Sequence, residues 1–361
     1  MPMPGRLPRH ARGWLRGAAR LAGAALLSLL AAPAMAQEPL RLRVVGGLAG
    51  VSQFLRYEEP FWRDRLPGIT GGRAVAEVTP SDRSGLKPED MLQLLQRGTV
   101  PFGTILLAQA AAEEPEFQAL DLPLQNPDIA TLRRTVQLYR PHLQRLLAER
   151  YGIELLAIYT YPAQVTWCRR PFTGLADLAG RRIRTSSLGQ AEIFEAIGAT
   201  PVTIPFAGIV PAMREGAVEC AVTGALSGNA IGLQEVATHI HDMALSWGVS
   251  MFGANRAAWA ALPEEIRGSI RAGLGELEAA VWKGAEEETV EGMRCATGAP
   301  DCTGRRGNLT LVPMSREDEA RRRGLLLWMV LPRWIDRCGP DCANIWNSTL
   351  APALGIQAHA R

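Results

Sequence analysis

Apolar and polar positions alternate from Leu40 to Val45, where leucine and valine interleave with Arg41 and Arg43, and the run ends at Gly46-Gly47. Period-two alternation closed by glycine predicts a strand turning into a loop. A helix is expected to follow through Trp62, and Gly71-Gly72 then leads into a second alternating run at residues 73–78. Pro88-Glu89-Asp90 places proline and acids in the first turn of a helix that stops at Gly98, where orphan N–H groups and the dipole favour them. Strand and helix in alternation predict an open α/β sheet rather than a bundle or a sandwich.

A second helical stretch is predicted over residues 128–150, with Pro141 expected to kink or split it. Ile153 to Tyr159 and Val165 to Arg169 read as strands separated by Tyr161-Pro162, and the pattern restarts there as a second lobe. A short turn at 175–178, a strand at 182–185, a helix at 190–197, a strand at 201–204, a helix at 207–214 and a strand at 218–223 continue the alternation. From Pro263 the period changes: Ile266, Ile270, Leu274, Leu277 and Val281 recur at helical spacing behind Glu264 and Glu265, predicting a long amphipathic helix to about Arg294. Cys295 to Gly307 is a turn-rich insert, and a last helix over 316–335 ends at Cys338-Gly339-Pro340-Asp341-Cys342.

The first 36 residues change how charge is read. Arg6, Arg9, Arg12, Arg16 and Arg20 precede an apolar stretch from Leu21 to Ala32, and Ala34-Met35-Ala36 supplies small residues for cleavage before Gln37. This is the grammar of a cleaved secretory signal. A dozen apolar residues reach about 18 Å as a helix, short of a bilayer core of roughly 30 Å. The segment holds five of the 39 basic residues and none of the 36 acidic ones, so the remainder carries 34 against 36, a net of −2. Basic character therefore gives no reason to invoke nucleic acid.

Six cysteines in an exported chain favour disulfides over free thiols or a zinc site. Fifteen pairings are formally possible. Sequence proximity favours Cys295 with Cys302 and Cys338 with Cys342, which leaves Cys168 for Cys220. Enzymatic chemistry finds little support. Gly224-Ala225-Leu226-Ser227-Gly228 lacks the central serine of a nucleophile elbow, and Gly46, Gly47 and Gly50 lack the spacing of a dinucleotide fingerprint. His239 and His241 are read as a helix end, because positions two apart do not share a helical face.

Four segments in order carry a resemblance. Leu175-Ala176-Asp177-Leu178-Ala179-Gly180-Arg181-Arg182-Ile183-Arg184, Ile197-Gly198-Ala199-Thr200-Pro201-Val202, Met213-Arg214-Glu215-Gly216-Ala217-Val218-Glu219 and Ala258-Trp259-Ala260-Ala261-Leu262-Pro263-Glu264-Glu265 resemble motifs of the solute-binding subunits of tripartite ATP-independent periplasmic (TRAP) transporters. The resemblance covers most of residues 40–290. It implies a two-lobed periplasmic-binding-protein-like α/β fold with a ligand cleft, braced by the long helix. Lobe I would hold residues 37–161 with about 249–285, and lobe II residues 162–248 with about 286–361.

It further implies that Arg184 pairs bidentately with a substrate carboxylate, which a planar guanidinium can do and lysine cannot. Gln164 stands where some sialic-acid-binding members carry an arginine, which weakens that ligand class here. Thr223 stands at the family's asparagine, with Asn229 close behind to return an amide to the cleft. Phe206 occupies the place of an aromatic wall, and Trp167, Trp247 and Gly47 complete the expected contacts, the rings having ordinary core packing as their alternative. The implied protein is a monomeric periplasmic clamp for a small organic acid, without cofactor or catalysis, serving TRAP membrane subunits. A binding protein for a sensor or an ATP-driven transporter, or a secreted enzyme, is the alternative.

Overall fold

The structure, a computed structural model, describes Met1 and residues 38–359, so the proposed signal falls outside the described residues. Two sheets organise the chain from residue 39 onward. The first has the order β2-β1-β3-β10-β4, built from β1 (Leu40–Gly46), β2 (Ala74–Pro80), β3 (Phe102–Leu106), β4 (Ile153–Tyr159) and β10 (Ser250–Asn255). The second has the order β11-β9-β5-β8-β6-β7, from β5 (Gln164–Cys168), β6 (Arg182–Thr185), β7 (Thr200–Thr203), β8 (Cys220–Gly224), β9 (His239–His241) and β11 (Thr310–Val312).

The alternation of β1 buries Leu42 and Val44 while Arg41 and Arg43 face water. In each sheet a parallel group is joined to antiparallel strands. β1 runs parallel to β2 and β3, and β6 runs parallel to β7 and β8. β10 enters the first sheet antiparallel between β3 and β4, returning there after the second sheet has been largely built. The chain thus crosses between the sheets at residues 160–163 and 242–249, and a third time between β10 and β11, over residues 256–309.

A helix of 33 residues, Glu264–Ala296, spans about 50 Å at 1.5 Å per residue and packs against both parts of the molecule. Ile266, Ile270, Leu274, Leu277 and Val281 are all buried, as the helical spacing predicts, and they belong to the same cluster as Leu42, Trp62 and Phe252 under the first sheet. Further along, Gly292 lies directly on the backbone of Ala225 and Leu226, at the start of the short helix Ala225–Ala230 that follows β8.

The structure corrects several expectations. Pro141 does not split its helix: Ile129–Leu146 is continuous, with the proline on the exposed face, where the carbonyl it leaves without an N–H partner can face solvent. His239 and His241 are not a helix end but the two outer residues of β9, where positions two apart do share a face. His241 is buried against Phe172, with ring centroids 6.0 Å apart, and its Nδ1 accepts the Met243 N–H at 2.9 Å. The strands β3, β10 and β11 and the helix after β8 stand where the periodicity predicts no element. All six cysteines are paired, as Cys168–Cys220, Cys295–Cys302 and Cys338–Cys342. Cys168 and Cys220 face each other directly across β5 and β8, so this bridge ties two neighbouring strands of one ladder.

Candidate binding cleft

Arg184 is the third residue of β6, whose parallel neighbours β7 and β8 end at the same edge of the sheet. Its side chain fans across that edge. Nε donates to the Ile204 carbonyl at 2.8 Å, just past β7, and Nη1 donates to the Val222 carbonyl of β8 at 2.5 Å. Ligands of open α/β sheets gather at the carboxyl ends of strands, because loops diverge there and leave room.

Arg184 is 3 % exposed, and among the described residues no carboxylate lies within salt-bridge distance of it. Burial pulls its pKa down to about 10, with no opposing charge to restore it. A buried cation is ordinarily paired, since solvation is lost on burial. Two carbonyls take two of the five N–H groups, and the others have no partner among the described residues. Arg322, the other deeply buried arginine, shows the ordinary case, with both Nε and Nη2 on Glu319.

The other expected residues are placed as follows. Thr223 is buried on β8 and pairs with Val165 of β5. Gln164 opens β5, its amide nitrogen donating to the Pro162 carbonyl at 3.2 Å and lying beside both Gly224 and Gly248. Phe206 is half-buried, and its ring faces Gly50 from the opposite lobe, so these two meet across the mouth of the cleft. Gly47 follows β1 and turns its N–H inward to Glu58.

Three residues lie away from this edge or are committed elsewhere. Asn229 donates to the Arg305 carbonyl and accepts the Arg305 N–H, which pins the insert tied by Cys295–Cys302. Trp167 is wholly buried, packed against Gly228 of the helix after β8. Trp247 is buried in the return crossing, with its ring N–H on the Asn126 carbonyl at 2.9 Å. Its backbone N–H and that of Gly248 both donate to Asp121 at 2.8 Å, and burial raises the Asp121 carboxyl to about 6.

Sequence reasoning misses a buried polar group beside Gly47. Glu58 is fully buried, its carboxylate accepting from Gly47 N at 2.6 Å and from Thr104 Oγ1 at 2.5 Å. Tyr161 OH, 3.2 Å from where a Gly47 Cβ would lie, and Gln53 Oε1 have no hydrogen-bond partner among the described residues. The Tyr161 ring in turn borders Gly248 beside the Gln164 amide. Within Tyr57-Glu58-Glu59-Pro60 nothing distinguishes Glu58 from a surface acid, so no signal in the sequence could have singled it out.

Desolvation raises the Glu58 carboxyl from 4.5 to about 7, against the lowering effect of the two hydrogen bonds. The folded state therefore holds the proton more tightly than the unfolded one. Stability from this group is present below pH 4.5 and is lost as pH rises through about 7. Glu58→Gln, neutral throughout, is expected to melt higher relative to the unsubstituted protein at pH 8 than at pH 4.5, by about 1–3 kcal/mol of differential stability. Paired melting curves across that range test it, and parallel curves would show that Glu58 titrates as in water.

Comparison with known proteins decides the family. A profile of the bacterial extracellular solute-binding proteins, family 7, matches residues 58–293. The chain belongs to that family. Its members are binding receptors rather than enzymes. An extracytoplasmic solute receptor of Bordetella pertussis that binds pyroglutamic acid superposes with a TM-score of 0.76 at 20% identity, over 85% of this chain and 98% of that one. A TRAP periplasmic solute-binding protein of Desulfovibrio salexigens with bound orotic acid superposes at 0.74 and 19% identity, over 85% of this chain and 96% of that one. The ectoine-binding periplasmic protein of Halomonas elongata is 26% identical over 158 residues, 42% of this chain. That match spans 46% of the relative's own length, somewhat under half.

Proposed function

We propose that this protein is a periplasmic receptor that closes on a small carboxylic acid and presents it to the membrane subunits of a TRAP transporter, with Arg184 as the carboxylate clamp. The observation that carries this reading is the buried guanidinium without a counter-ion at the carboxyl edge of the second sheet. Family membership supports the receptor role, and pyroglutamic and orotic acids, bound by the structural relatives, are both small carboxylic acids. Export through the arginine-rich leader at residues 1–36 fits a receptor that works outside the cytoplasm.

Lobe I supplies Gly47 and Gly50, and lobe II supplies Arg184, Phe206 and Thr223, so a ligand held by both favours the closed arrangement by its differential contacts. Small-angle scattering is expected to give a smaller radius of gyration on addition of the ligand recovered from purified, denatured protein. The melting temperature is expected to rise with ligand concentration by mass action. An unchanged radius together with an unchanged melting temperature at saturating ligand would refute the clamp.

A further inference from the structure

Arg184 stands where β6 loses its support. The ladder to β8 pairs Ile183 with Cys220 and Arg184 with Ala221, and ends there. Beyond it Thr185 pairs with Thr203 of β7, and β7 is the edge of the sheet. A strand end held on one side only, by an edge strand, frays readily. The guanidinium nonetheless reaches a carbonyl on each flank, so its aim depends on where this strand end is kept.

A buried amide supplies the support. Gln190, 2 % exposed, lies in the first turn of the helix Leu188–Ala196 that follows β6. Its Oε1 accepts both the N–H and the Oγ–H of Ser186, at 3.0 and 3.1 Å. Its Nε2 donates to Ser246 Oγ at 3.0 Å, in the return crossing to β10. That crossing is itself fixed: the Ser246 carbonyl accepts the Gln164 N–H at 2.8 Å, and the next N–H along, that of Trp247, is held on Asp121.

Resting on the carboxylate reading above, we infer that Gln190 is a positioning residue for the clamp: it ties the strand end that carries Arg184 to the return crossing, and so sets where the guanidinium points. Two parallel bonds to a carboxylate form only over a narrow range of orientations. A group that holds the binding side chain in that range contributes to affinity without touching the ligand. A purely local role would confine Gln190 to the helix start, where Ser187 Oγ already accepts its N–H at 3.3 Å. The bond to Ser246 lies outside that turn, and it is what separates the two roles.

The test reads Arg184 directly, with no ligand present. In protein carrying isotope-labelled arginine, the Arg184 Nε–H signal is assigned by its loss in Arg184→Lys, and its exchange with solvent is followed by NMR. Gln190→Met, close in shape but without the amide, is expected to speed that exchange about tenfold or more. Ser246→Ala, which cuts only the far end of the tie, is expected to act in the same direction by about threefold. Arg322, similarly buried and held on Glu319, is the internal control and should exchange as before. Calorimetric titration with L-pyroglutamate, orotate and L-malate then follows the tightest of the three, which Gln190→Met is expected to bind about tenfold more weakly. Unchanged exchange at Arg184 in both variants overturns the tie, and so does equal acceleration at Arg184 and Arg322, which would mean general loosening. Either result leaves the carboxylate clamp standing. Faster exchange at Arg184 with undiminished affinity overturns the positioning role. Binding of none of the acids by the unsubstituted protein, alongside the expected exchange, counts against the carboxylate reading and supports the tie.

Discussion

Arg184→Ala is expected to weaken binding of the native ligand by about thirty- to several-thousand-fold, a loss of roughly 2–5 kcal/mol, while leaving the ligand-free protein as stable as before. The two halves have one cause. In the empty cleft the guanidinium is buried without a counter-ion, so its removal ends a desolvation cost that offsets the two carbonyl hydrogen bonds it gives up. With a carboxylate present the same group makes charge-assisted bonds that no neighbour can replace. Arg184→Lys keeps the charge but loses the planar fork, and is expected to fall between the two. Calorimetric titration and melting curves on both variants read the outcome. Unaltered affinity in Arg184→Ala would remove the clamp, and a collapse of its melting temperature would make Arg184 a structural residue.

A further large effect is expected on the long helix, where the sign of one substitution depends on position. Gly292→Ala places a methyl group onto the backbone of Ala225 and Leu226, which cannot rotate aside as a side chain would. Overpacking of that kind costs about 1–3 kcal/mol, and the larger Gly292→Val is expected to prevent folding. Gly275→Ala on the same helix meets nothing within 4 Å and is exposed, so it should stabilise by about 0.5–1 kcal/mol through propensity alone. Urea melts of the two alanine variants should move in opposite directions. Because Thr223 lies just before the displaced segment, Gly292→Ala should also weaken ligand binding, whereas Gly275→Ala should not. Movement of both melts in the same direction would mean that the brace does not seat on Ala225.

Much of the fold is legible in the sequence because its signals are local. The alternation in residues 40–45 and the helical spacing from Ile266 to Val281 each report a buried face, and both elements stand where that spacing puts them. Phe102–Leu106 and Ser250–Asn255, strands that the pattern does not announce, are buried along almost their whole length, so alternation disappears. β9 passes for a helix end because three residues are too few to show a period. For the cleft, a motif points to Arg184, but only the three-dimensional arrangement shows that the cation lacks a partner. Asn229 and Glu58 illustrate the opposite limits. In sequence Asn229 has the look of a free amide, yet it is fixed on Arg305; Glu58 resembles a solvent-facing acid, yet it is wholly buried on Gly47 and Thr104.

The place of β10 bears on how the chain acquires its shape. Ala254 pairs with Phe102 across some 150 residues, and Gly253 and its neighbours complete the ladder toward β4. The second sheet, by contrast, closes its β5 to β8 pairing between residues 164 and 224. Contacts distant in sequence pay loop-closure entropy before they are rewarded and so form slowly. The first sheet therefore cannot join β3 to β4 until Ser250–Asn255 has been made, whereas the second waits only for β11 at its edge. A chain cut or stalled before Ser250 presents the raw edges of β3 and β4, which are templates for pairing with another molecule. For a chain that emerges N-terminus first, the interval between emergence of Leu106 and emergence of Ser250 is the one in which aggregation competes with folding.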